Sequence, residues 1–346
     1  MIKSFKVKNY KLFKDFFIEG FQRINLITGR NNVGKTSLLE ALFIHSGAVN
    51  IQLPFSTEIF RGVAQFQGAI DSACAGFFFD FNTVEPIVLE SEDKLDLKRV
   101  VVLRIVPVSV TIGGKEIEEQ PPSVGQALEI SFIEPGMKEA ISSKAIRERN
   151  ELRLEPPPRG PLFEAVFVHT RAADHKTDAG RYSELVKNIG EEEQFINALR
   201  AIEPAVRGAR LLQHGGAPMI HVDIGAKKFL PLPYAGEGMV RLARILVAIG
   251  QSRNGMVLID EFENGLYYSV IPKVWRAIIE FADRYNVQVF ATTHSKENIE
   301  AAHRVFSEME YRFRLFRLDS SADGIQAFAY DKEALEHLIK SEFEAR

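Results

Sequence analysis

Gly29-Arg30-Asn31-Asn32-Val33-Gly34-Lys35-Thr36, followed by Ser37, is the stretch whose reading decides the fold. It fits the pattern G-x-x-x-x-G-K-[ST], a phosphate-binding loop. Glycines let the backbone turn tightly and aim successive N–H groups inward at anionic oxygens. Lys35 can reach the β- and γ-phosphates of a nucleotide, and the Thr36 hydroxyl can bind Mg²⁺. The helix that begins here points its positive dipole end at the same phosphates. Context supports the motif. Arg23-Ile24-Asn25-Leu26-Ile27-Thr28 before it reads as a strand, and Ser37-Leu38-Leu39-Glu40-Ala41-Leu42-Phe43 after it reads as a helix ending near Gly47.

The second half of such a site lies more than 200 residues downstream. Val257-Leu258-Ile259 is a continuous apolar strand that ends in Asp260-Glu261. An acidic pair at the carboxyl end of a parallel strand sits where α/β sheets bind ligands. Asp260 is placed to hold the metal's hydration shell. Glu261 is placed to orient an attacking water or accept its proton. The next strand ends in Ala291-Thr292-Thr293-His294-Ser295, which puts His294 within reach of a γ-phosphate, with Ser295 as the N-cap of the following helix. Pro233-Tyr234-Ala235-Gly236-Glu237-Gly238 precedes another helix, and Gly236 and Gly238 at its start offer a second anion site.

Composition narrows the class. The chain has 346 residues, 46% of them hydrophobic, enough for one large domain or two modest ones. A net charge of −3 confines any nucleic-acid contact to a local patch. Cys74 is the only cysteine, which excludes an internal disulfide and suits a reducing cytosol. Met1-Ile2-Lys3-Ser4-Phe5-Lys6 alternates like a strand, and no apolar run approaches the ~20 residues of a membrane span. A soluble cytoplasmic protein is expected.

Periodicity supplies the rest of the outline. Residues 2–19 alternate as a hairpin, and 49–76 look irregular. The aromatic run Phe77-Phe78-Phe79-Asp80-Phe81 reads as a core strand. Runs at 86–89, 98–108 and 127–132, separated by turns at Gly113-Gly114 and Pro121-Pro122, read as an antiparallel β subdomain. The charged stretch 138–153 reads as loop or short helix, and Pro156-Pro157-Pro158 with Pro161 as a boundary. Residues 183–212 read as helical, 219–224 and 228–232 as a hairpin, and 238–250 and 269–285 as helices. Strands of continuous apolar residues alternating with helices argue a parallel sheet in an α/β core. The expected organisation is a single head: an N-terminal lobe over 1–160, a strand and helical insert over 161–214, and a C-terminal lobe over 215–346.

These pieces together resemble the ABC-type ATPase head of the SMC, RecF and OLD superfamily, closest to compact bacterial OLD-like AAA-type ATP-binding proteins. Gly29 to Thr36 matches Walker A, Gly236 to Gly238 a degenerate signature, Ile259-Asp260-Glu261 Walker B, Glu263-Asn264-Gly265-Leu266 the following interface loop, and Thr293-His294-Ser295 the H-loop. Ala235 stands where the signature usually has Ser, and Tyr267 where relatives often carry His. Gln65 and Gln67 are candidates for the Q-loop. The resemblance implies an α/β P-loop ATPase with an antiparallel β subdomain and a helical insert. It implies ATP and Mg²⁺ as cofactors, with Gly29, Arg30, Asn31, Asn32, Val33, Gly34, Lys35, Thr36 and Ser37 around the nucleotide and Lys35, Glu261 and His294 in catalysis. It further implies a homodimer or higher oligomer that sandwiches ATP, each signature helix completing the facing site. The resemblance implies a role in anti-phage defence or DNA metabolism, often alongside a separate nuclease, toxin or other effector, with defence as the leading reading; the alternative is a RecF- or SMC-like repair ATPase that binds DNA directly. A nuclease site within the chain is not expected: no Asp-x-Asp occurs, and Glu92-Asp93-Lys94 lacks its partnering Pro-Asp.

Overall fold

The computed structural model describes residues 1–346 except 64–69, 111–122, 149–150, 157–159, 171–173, 323 and 342–346. The N-terminal half runs β1 (Ile2–Tyr10), β2 (Phe13–Glu19), β3 (Ile24–Gly29), α1 (Lys35–Ser46), α2 (Gln52–Phe60), α3 (Ile70–Cys74), β4 (Ile87–Asp93), β5 (Lys98–Val110), β6 (Ser123–Ile133), β7 (Ile141–Glu148) and β8 (Glu151–Glu155). The remainder runs β9 (Ala165–Val168), α4 (His175–Val186), α5 (Glu191–Leu199), β10 (Gly208–His214), β11 (Ala217–Asp223), β12 (Leu230–Pro231), α6 (Glu237–Gln251) and β13 (Met256–Ile259). It closes with α7 (Ile271–Arg284), β14 (Gln288–Thr292), α8 (Lys296–Ser307), β15 (Phe313–Ser321), β16 (Gly324–Tyr330) and α9 (Lys332–Lys340).

Two sheets enclose α1. One is antiparallel, in the order β2-β1-β4-β5-β6-β7-β8. The other, β16-β15-β3-β14-β13-β9, is parallel apart from the edge strand β16. The central strands alternate between two apolar clusters. Val257 and Ile259 face α6, α7 and α8, whereas Met256 and Leu258 face α1 and the antiparallel sheet. Both faces are covered, which is why β13 and β14 read as unbroken apolar runs. Every residue of α1 except Thr36 and Phe43 is buried, so this helix shows no polar face. A third, small sheet, β10-β11-β12, stands beside α4 and α5.

Several expectations need correction. The stretch 138–153, expected as loop or short helix, holds β7 (Ile141–Glu148) and most of β8 (Glu151–Glu155). Charge on β7 pairs across strands: Glu129 on β6 meets Lys144 on β7 at 3.5 Å and also Arg104 on β5 at 2.6 Å. The helical reading of 183–212 divides into the end of α4, then α5, then the strand β10. Gly190, at φ 90°, breaks the first junction, and Glu191, Glu192 and Glu193 restart a helix with acidic residues at its positive end. The 49–76 stretch contains α2 and α3. Residues 77–81 are no core strand: short 3₁₀ turns cover 75–77 and 79–81, and only Phe78 makes a bridge, to Tyr10. The turns at 113–114 and 121–122, and both Gln65 and Gln67, lie outside the described residues.

Candidate functional site

The parallel register brings three strand ends to one edge. β14 lies between β3 and β13, with Thr292 opposite Ile27 and Ala291 opposite Ile259. The loop after β3, Asp260 and Glu261 after β13, and His294 after β14 therefore surround one cavity of about 810 Å³. Asn31, Asn32, Gly34, Lys35, Thr36 and Ser37 line its base.

The loop's glycines are required by geometry. Gly29 has φ 142°, and a Cβ there would lie 2.4 Å from the Leu318 carbonyl oxygen. Gly34 has φ 91° and caps α1 with no side-chain bond, leaving the helix's N–H groups to the cavity. The first turn of α1 carries no acidic residue, so its positive end is uncompensated. Lys35 folds back over the loop and donates to the Gly29 and Arg30 carbonyls at 2.8 and 2.9 Å. Burial is the main cause that lowers its ammonium pKa to about 8, against the pull of Asp260, Glu261 and Glu263. Val33 differs from its neighbours: its side chain is buried in the core, leaving only backbone for a ligand.

A short relay joins the strand ends. The Thr36 hydroxyl donates to the two Asp260 carboxylate oxygens at 3.0 and 3.2 Å. The Thr292 hydroxyl donates to Asp260 at 2.7 Å and accepts the Glu261 N–H at 2.8 Å. Glu261 has φ 47°, a left-handed conformation uncommon for a side-chain-bearing residue. It is held there from behind. The buried Arg241 guanidinium on α6 donates to the Asp260 carbonyl and, at 3.0 Å, to the Glu261 carbonyl. Burial brings the Arg241 pKa down to about 10. Asp260 is itself only 8% exposed, while Glu261 and His294 are exposed to the cavity.

Sequence reasoning missed three supports. Glu263 turns inward. Its carboxylate accepts the Thr293 hydroxyl at 2.8 Å and the His294 N–H at 2.7 Å. Behind it, Asn298 donates to Thr293 at 3.0 Å and accepts the Trp275 indole N–H at 2.8 Å; Trp275 stacks on Phe262 with ring centres 3.9 Å apart. Glu263→Ala leaves three donors without that acceptor: the Thr293 hydroxyl, the His294 N–H and the Asn298 amide, which lies 3.4 Å from it. We expect a stability loss of about 1–3 kcal/mol in urea unfolding and a fall in kcat as His294 is released; a variant unchanged in both would show that the bond is idle. The second support is the buried Glu40 on α1. It accepts from Lys11 at 2.8 Å and from Arg61 at 2.7 and 2.9 Å, tying the β1–β2 turn and the end of α2 to the phosphate loop's helix. Such a buried carboxylate survives only because two cations compensate it. The third is the turn Phe79-Asp80-Phe81, which lines the cavity's rim with Lys11 and Leu12.

Gly236 and Gly238 are not among the residues lining the cavity. Gly236, at φ 95°, precedes α6, and a Cβ on Gly238 would approach the Gly265 carbonyl oxygen at 3.1 Å, so this loop packs on the segment after Glu263. Glu92 and Asp93 of the E-x-K triplet form ion pairs with Lys3 and Arg99.

Comparison with known proteins supports an ATPase of this fold. Residues 1–97 match a family model described as an AAA ATPase domain. Residues 140–299 match an AAA-domain model whose description also refers to the AbiEii toxin and a type IV TA system. A protein of Helicobacter pylori named ATP/GTP phosphatase is 25% identical over 375 aligned positions, covering 99% of each chain. Among solved structures, an SMC head bound to the C-terminal winged-helix domain of ScpA matches with a TM-score of 0.52 at 13% identity, over 98% of this chain and 99% of that one. An Smc head with an extended coiled coil, bound to the C-terminal domain of ScpA derived from Pyrococcus furiosus, matches with a TM-score of 0.50 at 11% identity, over 99% of each chain. No helix among the described residues is long and apolar enough to cross a membrane.

Proposed function

We propose, from the premise that this chain is an ABC-type ATPase of the SMC, RecF and OLD-like group, that it acts as an ATP-gated sensor or scaffold whose destructive partner is a separate polypeptide. ATP binding and hydrolysis belong to the chain itself. The observation that carries the reading is the concentration of chemistry in one cavity. Lys35, Thr36, Asp260, Glu261 and His294 all meet there, and the remaining large features, the antiparallel sheet and the α4–α5 segment, offer surfaces.

Each residue has a part. Lys35 takes the β- and γ-phosphates from the loop carbonyls it now engages. Thr36 and Asp260 are hard oxygen donors already in contact, a donor set that suits Mg²⁺. Bound there, the cation would neutralise charge developing on the phosphate oxygens. Glu261 orients and deprotonates water, with its backbone pinned by Arg241 and Thr292. His294 faces the γ-phosphate. Gly236 and Gly238 lie away from their own cavity and serve the facing site of a homodimer, so that ATP becomes part of an interface and its state an assembly switch. The likeness of residues 140–299 to an AAA-domain family that includes the AbiEii toxin of a type IV TA system favours a defence role with a nuclease or toxin effector.

The test is cleavage. The pure protein is incubated with ATP, Mg²⁺ or Mn²⁺, and plasmid DNA or transfer RNA. ATP turnover without strand breaks is expected. Breaks that disappear on a substitution outside the nucleotide site would overturn the division of labour.

A further inference from the structure

The turn at residues 78–82 is unusual in three respects. Asp80 and Phe81 both adopt left-handed conformations, at φ 51° and 57°. Two adjacent side-chain-bearing residues rarely do so, and Phe81 is bulky. Phe81 is also 72% exposed, far more than the chain's other phenylalanines nearby: Phe77 and Phe78 are buried. Finally, the turn is clamped at both ends by the β1–β2 hairpin. The Lys11 N–H donates to the Phe77 carbonyl at 2.9 Å, and the Asn9 side-chain amide donates to the Asn82 and Glu85 carbonyls at 3.0 and 2.7 Å. A strained conformation persists only where its surroundings over-determine it, and such places concentrate at ligand clamps.

The turn faces the same cavity as the phosphate loop, with Phe79, Asp80 and Phe81 among its lining residues. Phosphates seated at the N-terminus of α1 would leave the nucleoside end to the other lining residues, Phe79, Asp80 and Phe81 among them. Tyr10, on the hairpin below, cannot serve there because it is fully buried. We propose that Phe79-Asp80-Phe81 is the base platform of this cavity, Phe81 offering its ring face to a purine while Asp80 accepts a hydrogen bond from a base N–H. The proposal rests on the reading of the cavity as the nucleotide site and adds the element that recognises the base. A pyrimidine has a smaller π-face and should be held less well.

Calorimetric titration of the full chain, with Mg²⁺ present, separates the two readings. The ligands are a non-hydrolysable ATP analogue, its CTP counterpart and inorganic triphosphate. Phe81→Ala is expected to weaken the ATP analogue about tenfold, the usual cost of removing one stacking ring. It should narrow the ATP-to-CTP preference and leave triphosphate binding unchanged, while Phe81→Trp restores the analogue's affinity. Lys35→Ala should weaken all three ligands together. If Phe81→Ala binds the analogue as the parent does, or loses triphosphate to the same extent, the platform is refuted and the phosphate site stands. If Lys35→Ala binds all three as the parent does, the site itself is misplaced and the platform falls with it.

Discussion

Glu261→Gln is expected to slow ATP hydrolysis about 10²–10⁴-fold, the ordinary worth of a general base, while ATP still binds. The geometry makes this a clean substitution. Glu261 spends its backbone on the scaffold: its N–H on Thr292, its carbonyl on Arg241. Its side chain is exposed to the cavity and has no structural duty that a glutamine of the same shape would fail. Asp260 and Thr36 keep their contact, so the metal-binding donors remain. Uncleaved ATP should then accumulate the sandwiched form, and mass measurement in solution with and without Mg·ATP will reveal it. Hydrolysis at the parent rate, or an assembly state indifferent to ATP, would sink the shared-site mechanism.

Lys35→Ala is expected to weaken ATP binding about a hundredfold or more, since it removes charge-assisted bonds to two phosphates, each worth about 1.5–3 kcal/mol. The pKa of this lysine supplies a second, independent signature. Burial lowers it to about 8, and phosphate oxygens would raise it again on binding. The affinity due to Lys35 is therefore fully present below pH 8 and declines as pH rises above it, because the ligand must then recruit a proton. Titrations at pH 7 and pH 9, each in two buffers of different ionisation enthalpy, read both the loss and the proton uptake. Lys35→Ala should abolish the pH dependence along with the affinity. A parent protein whose affinity is flat from pH 7 to 9 would contradict the lowering of this ammonium's pKa by burial.

Much of this site could be read from residue types because its physics is local. A tight backbone cradle needs glycine at positions 29 and 34, and a charge on the axis of a helix needs Lys35 beside it. The apolar runs before Asp260 and Thr292 announce strands buried on both faces, hence a parallel sheet and a shared carboxyl edge. What escaped was whatever depends on contacts between distant segments. Glu263 is legible as part of the loop after the acidic pair, but that its carboxylate holds Thr293 and His294 shows only once β14 brings them against it. Lys11, Glu40 and Arg61 are ordinary surface-type residues by composition, and only folding puts the two cations around the buried Glu40 carboxylate. The strands β7 and β8 escaped for a related reason: Lys144 of β7 looks like a loop charge until β6 brings Glu129 to it, and the apolar face that packs on the core is short, made of Ile141, Ala145, Leu152 and Leu154. Residues 77–81 failed in the opposite direction, since aromatic density suggested core whereas Phe81 is turned out at a rim.

The chain's single tryptophan sits where the loops bearing Glu261 and His294 meet. Phe262, the residue after Glu261, lies flat on the Trp275 ring, and Asn298 links the indole N–H to Thr293, the residue before His294. An indole held dry, stacked and hydrogen-bonded emits in a way that depends on all three conditions. Movement of either loop changes at least one of them. The protein thus carries a built-in optical gauge of its own catalytic edge, read by intrinsic fluorescence in stopped flow, with no label to perturb the loops and no second tryptophan to obscure the signal.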